Sequence, residues 1–146
     1  MKKFLFFTLF ATLTVFSTNA QEWKTNFSEA KKEATKLDQP IILVFQGSDW
    51  CAPCIKLDKE VWSTEAFKKY AKDHFVMLQA DFPRKTKNAL PEDQQARNNK
   101  LAETYNKNGY FPFVVVLDHA GKVLGQAGYE KTTPEAYIKK LEAFTK

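Results

Sequence analysis

The sequence predicts an α/β fold, a three-layer α/β/α arrangement around a mixed central sheet, and three observations carry that prediction. Ile41-Ile42-Leu43-Val44-Phe45 and Phe113-Val114-Val115-Val116-Leu117 are continuous apolar runs of strand length, the pattern of strands buried on both faces. Segments with helical spacing of apolar residues lie between them, which favours crossovers and parallel pairing. Asp118-His119-Ala120-Gly121-Lys122 then has turn chemistry and leads into Val123 to Ala127, adding an antiparallel hairpin.

Met1, Lys2 and Lys3 precede an apolar run from Phe4 to Phe16, and Thr18-Asn19-Ala20 offers small residues for cleavage. The run is too short for a spanning helix, so residues 1–20 are expected to be a secretory signal peptide and residues 21–146 the domain. In that domain Asn26 is a helix cap with Glu29 three residues on, and Phe27, Ala30, Ala34 and Leu37 recur at helical spacing. Pro40 ends the helix and releases the first strand. After the Gln46 to Asp49 turn, Cys51 to Glu60 and Ser63 to Lys72 read as helices, with Ser63 as the cap of the second. Phe75 to Phe82 returns to a strand. Pro83 to Leu90 has turn chemistry without periodicity and is expected to be an exposed loop. Pro91-Glu92-Asp93 opens a helix with Ala96, Leu101 and Tyr105 on its apolar face and Gly109 as its stop. Thr133 and Pro134 open the last helix, which places Tyr137, Leu141 and Phe144 on one face.

Composition excludes several classes. With 146 residues, 44% of them hydrophobic, and only 5 Gly, 6 Pro and 2 Cys, the chain is not collagen-like, disordered or a disulfide-stapled mini-protein. Loss of the leader lowers the formal net charge from +5 to +3. The lysines are interleaved with acids, as in Lys31-Lys32-Glu33 and Asp58-Lys59-Glu60, which suits solvated helix faces and predicts no nucleic-acid partner.

Cys51-Ala52-Pro53-Cys54 follows a buried strand and begins a helix. A thiol there meets unpaired backbone N–H groups and the positive end of the helix dipole, which favour thiolate over the ordinary thiol of pKa about 8.5. Cys51 is therefore expected to be the nucleophile. Cys54, one turn further in and more buried, is expected to resolve the mixed disulfide formed on Cys51. Pro53 sits in the first turn, where its missing N–H costs nothing. A bridge closing so small a loop would be a poor staple. A metal site would need about two more ligands, and His74 and His119 fall near a helix end and in a hairpin turn, so no metal and no organic cofactor is expected.

Trp50-Cys51-Ala52-Pro53-Cys54, the flanking strands Ile41 to Phe45 and Val76 to Asp81, the Phe111-Pro112 step before a strand, and Gly128 ahead of the last helix together resemble the thioredoxin superfamily. Phe45 to Cys51 is most similar to its secreted bacterial members. The resemblance implies a thioredoxin-like three-layer fold, a cis Pro112 facing Cys51, and a client-binding surface of Trp50, Ala52, Pro53, Phe111 and Pro112, with the backbone of Phe111 pairing to an extended substrate.

Two departures stand out. Thioredoxins carry a buried acid six residues before the first cysteine and a lysine that partners it; here those positions hold Phe45 and Met77. The proton of Cys54 would then leave through water or an exposed group such as Lys56 or Asp49. The segment between Asp81 and Pro112 is also longer, with Pro83 to Leu90 as the insertion. The resulting expectation is a periplasmic or secreted thiol-disulfide oxidoreductase, leaning to reductase or isomerase. Its partners would be protein thiols and disulfides and a membrane or periplasmic electron donor or acceptor, with no membrane insertion after the signal is cleaved. The alternative is a thioredoxin-fold chaperone or assembly module in which the cysteines are dispensable.

Overall fold

Local chemistry sets the element boundaries along residues 21–146, which the computed structural model describes; the expected leader lies outside the described residues. Helix α1 (Phe27–Leu37) starts where the Asn26 side chain accepts hydrogen bonds from the Ser28 and Glu29 N–H groups, a cap contributing about 1 kcal/mol. It stops at Asp38, whose φ of 53° turns the chain out of the helix before Pro40. Ala30 and Ala34 are fully buried, whereas Leu37, next to that reversal, is exposed and leaves the expected apolar face.

Strand β2 (Ile41–Gln46) feeds α2 (Ala52–Leu57), which continues as one π turn, Asp58–Trp62. The break expected around residues 61–63 falls there, but the cap of α3 (Glu65–His74) is Thr64, not Ser63. The wider π winding returns the Ser63 N–H to the Asp58 carbonyl at 2.8 Å, so the cap moves one residue along. Thr64 Oγ1 accepts from the Phe67 N–H, and the Ser63 hydroxyl donates to the Asp58 carboxylate.

Strand β3 (Val76–Asp81) is followed by α4 (Glu92–Tyr105), where the outcome departs from periodicity. Ala96 is exposed, because the buried Asn98 turns the other side inward and its Nδ2 donates to the Asp81 carbonyl at 2.8 Å. The helix ends at Asn106, whose side chain pairs with both backbone groups of Tyr110; Gly109, with φ of 66°, shapes the loop beyond it. Strands β4 (Phe113–Leu117) and β5 (Val123–Ala127) form the expected hairpin, and α5 (Pro134–Ala143) is capped by Thr133. A two-residue strand β1 (Trp23–Lys24), too short to leave a sequence pattern, was not expected.

The sheet runs β1-β3-β2-β4-β5, parallel across the first three strands and antiparallel across β2, β4 and β5. Alternation along β2 divides the core. Ile41, Leu43 and Phe45 pack with Ala30, Ala34 and Leu101 under α1 and α4. Ile42 and Val44 pack with Met77, Leu57, Trp62, Phe67, Tyr137 and Leu141 under α2, α3 and α5. This is the expected mixed sheet between two helical layers. The approach of α5 is close enough that a Cβ on Gly125 would stand 2.1 Å from the Phe144 ring, so only glycine fits there.

Candidate active site

The turn after β2 is built to present a cysteine at a helix start. The Trp50 and Cys51 N–H groups both donate to the Gly47 carbonyl, at 3.2 and 2.9 Å, and a Cβ on Gly47 would lie 2.3 Å from the Trp50 indole. Glycine at 47 is thus a steric requirement of the fold of this turn. Ser48 is held to β3 by the Asp81 carboxylate, which accepts from its N–H at 2.9 Å and from its hydroxyl at 2.6 Å.

Cys51 is the N-cap of α2, and its Sγ accepts from the Cys54 N–H at 3.3 Å. The two sulfurs form a disulfide, 2.02 Å long. An N–H aimed at Cys51 Sγ would stabilise negative charge on that sulfur once the bridge is open, whereas Cys54 lies inside the first turn. Burial does not separate the two, contrary to expectation: joined by the bridge, they are 4% and 3% exposed.

Trp50 lies beside this bridge, its Nε1 donating to the Phe82 carbonyl at 2.7 Å. Phe111 meets the indole edge-on at 5.4 Å, and Phe82 meets Phe111 at 5.5 Å. That contact brings the Phe111-Pro112 bond, which is cis, to the segment carrying Cys51. Among the described residues neither the N–H nor the carbonyl of Phe111 has a backbone partner. Trp50, Phe82, Pro83, Arg84 and Phe111 line a cleft of about 450 Å³.

The loop from Pro83 to Leu90 is exposed, as expected, but it is tied to the site. Asp49 accepts from the Arg84 N–H, the Lys85 N–H and Asn88 Nδ2, each at 2.9 Å, and the Arg84 guanidinium lies 3.6 Å over the Trp50 ring. The Arg84 N–H, then the Asn88 amide and Lys85, hold the Asp49 carboxyl down to about 2. Because this pKa is depressed, the anchor is fully present above the ordinary carboxylate range near 3.9 and is lost only as pH falls through about 2. In a nuclear magnetic resonance titration the Arg84 and Lys85 amide signals should stay fixed through that ordinary range and move only towards about pH 2. Movement centred near 4 would show that the loop is not held this way.

Two expectations about the proton of Cys54 are corrected. Phe45 and Met77 do not stand in for a buried pair: they lie on opposite faces of the sheet, because β2 and β3 are in register Phe45 to Ala80 and Ile42 to Met77. Asp49 is committed to the loop. The residues that share a pocket with Cys54 are Gln46, Ser48, Ile55 and Asp58, around about 240 Å³. Only the four-residue spacing from Cys54 to Asp58 along one helix could have pointed to this in the sequence. His74 stacks on Tyr70 at the end of α3, and His119 is in the β4–β5 turn, so neither joins the cysteines.

Residues 22–119 match the family described as thioredoxin-like. Disulfide bond reductase DsbH of Chlamydia pneumoniae is 36% identical over 125 residues, which cover 86% of this chain and 73% of that protein. A solved structure of a DsbH oxidoreductase superimposes with a TM-score of 0.77 at 36% identity, covering 84% of this chain and 83% of that one. A disulphide isomerase from Xylella fastidiosa shares the fold, with a TM-score of 0.60 at 21% identity and 82% and 88% of the two chains covered.

Proposed function

Since the chain belongs to the thioredoxin-like family and is a thiol-disulfide oxidoreductase, we propose that it is exported and works in the direction of reduction, with Cys51 attacking client disulfides and Cys54 resolving them. The observation that carries this reading is the capped helix start, where the Cys54 N–H points at Cys51 Sγ. A thiolate on Cys51 attacks a client disulfide, and one client sulfur leaves as a thiolate. Cys54 then attacks Cys51 Sγ, closing the bridge and releasing the second client sulfur, so two electrons pass to the client. Phe111 and the aromatic cleft beside Trp50 would hold the client chain extended across the site.

The likeness to a protein named disulfide bond reductase supports the direction, and the basic, apolar start of the chain supports export with Gln21 as the first mature residue. An exported reductase must be recharged by a dithiol donor at or across the membrane.

The test is the reduction potential of residues 21–146, which hold all of the described elements, equilibrated in thiol buffers and read by tryptophan fluorescence. A value near or below about −250 mV is expected; a value near about −120 mV would make the protein an oxidant and overturn the direction.

A further inference from the structure

We propose that Asp58 is the proton acceptor for Cys54, reached through the pocket that the two residues share; this rests on the proposed role of Cys54 as resolving thiol. The pocket of about 240 Å³ is lined by Gln46, Ser48, Cys54, Ile55 and Asp58, large and polar enough to hold water. Cys54 is 3% exposed and lines this opening together with Asp58. Asp58 stands one helical turn after Cys54, at the start of the π turn, with its carboxylate oriented by the Ser63 hydroxyl at 3.1 Å from each oxygen. It is exposed and can pass the proton on to bulk water.

The surroundings leave no competing base in the pocket. Gln46, Ser48 and Ile55 do not titrate. From β3, Asp81 does not line the pocket, and Ser48 donates to both of its oxygens. From the turn after β2, Asp49 is bound to the 83–90 loop. On the same helical segment Lys56 and Lys59 are exposed and do not line the pocket, and Glu60 accepts from the Tyr129 hydroxyl.

With a client sulfur bound to Cys51, the Cys54 S–H gives its proton through pocket water to the Asp58 carboxylate. The resulting thiolate attacks Cys51 Sγ, the Cys51–Cys54 bond forms, and the client–Cys51 bond breaks with the electron pair leaving on the client sulfur. Asp58 then releases its proton to solvent.

Reduced protein mixed with a symmetrical nitrobenzoate disulfide reports both steps, because each releases one coloured thiolate: the first on attack by Cys51, the second on resolution by Cys54. Asp58→Asn is expected to leave the first phase unchanged and slow the second by at least about tenfold at neutral pH, with Asp58→Glu restoring it. The second phase of the parent should hold its rate well below the ordinary thiol pKa of about 8.5, and that of Asp58→Asn should fall steadily with pH. An unchanged second phase would overturn the proposal. So would a faster one, which would mean that Asp58 only repels the Cys54 thiolate, and so would equal slowing of both phases, the mark of a structural effect. If the parent itself releases no second thiolate, the failure lies with Cys54 as resolving thiol.

Discussion

Replacing Cys51 by serine is expected to lower the rate of disulfide reduction by about a thousandfold or more at neutral pH, to the background of free reductant. A serine hydroxyl at the cap of α2 receives the same Cys54 N–H, but it stays protonated where a thiol can ionise, and oxygen forms no stable bond to the client sulfur. Cys54→Ser should behave differently. The first attack on Cys51 remains, the resolving step is gone, and a covalent mixed disulfide accumulates that mass spectrometry detects as client mass added to Cys51. The asymmetry between the two variants is the decisive readout, because the two sulfurs are equally buried in the bridged state and exposure cannot rank them. If Cys54→Ser stopped the first attack and Cys51→Ser trapped the client, the roles would be reversed. If the double variant supported function in the cell, the site would be acting as a binding groove, the chaperone reading of the same fold.

The parts of this site that sequence made legible are those whose signal is local. Cys51, Pro53 and Cys54 are near neighbours in the chain, Asn26 and Thr133 cap their own helices, and the apolar runs of β2 and β4 declare their burial. The Phe111-Pro112 step could be named only through family resemblance, since nothing in a proline's neighbours dictates which strand it will lie beside. What stayed hidden depends on register and on long-range pairing. Phe45 and Met77 looked like a matched apolar pair until strand register put them on opposite faces. The 83–90 segment has loop chemistry whether or not it is anchored, and the anchor, Asp49, lies more than thirty residues upstream. The π turn moved a helix cap from Ser63 to Thr64 and left Ser63 free to orient Asp58, a one-residue shift beyond the reach of helical periodicity. Strand β1 has two residues, which is below any period.

Trp62→Ala should destabilise the fold by about 3–5 kcal/mol, a large share of the roughly 5–15 kcal/mol that holds a domain of this kind together. Trp62 is 3% exposed at the end of the π turn, and its ring is met edge-on by Trp23 at 6.0 Å, Phe67 at 4.8 Å and Tyr137 at 5.3 Å. These three neighbours come from β1, α3 and α5, so one side chain joins the edge of the sheet to two helices beneath the segment that carries the cysteines. Truncation removes the partner of all three rings at once and leaves a cavity, which is why the cost should exceed the transfer free energy of the indole alone. Urea denaturation followed by circular dichroism measures it as a lower midpoint at nearly unchanged slope. A loss below about 1 kcal/mol would mean that the three elements are held by other contacts. The chemistry should respond less than the stability: at low temperature, where the variant remains folded, the first thiolate-release phase should keep its rate, because the Gly47 carbonyl and the Cys54 N–H that set Cys51 do not depend on Trp62. The second phase is the more sensitive one, since the same π turn carries Asp58 at its other end.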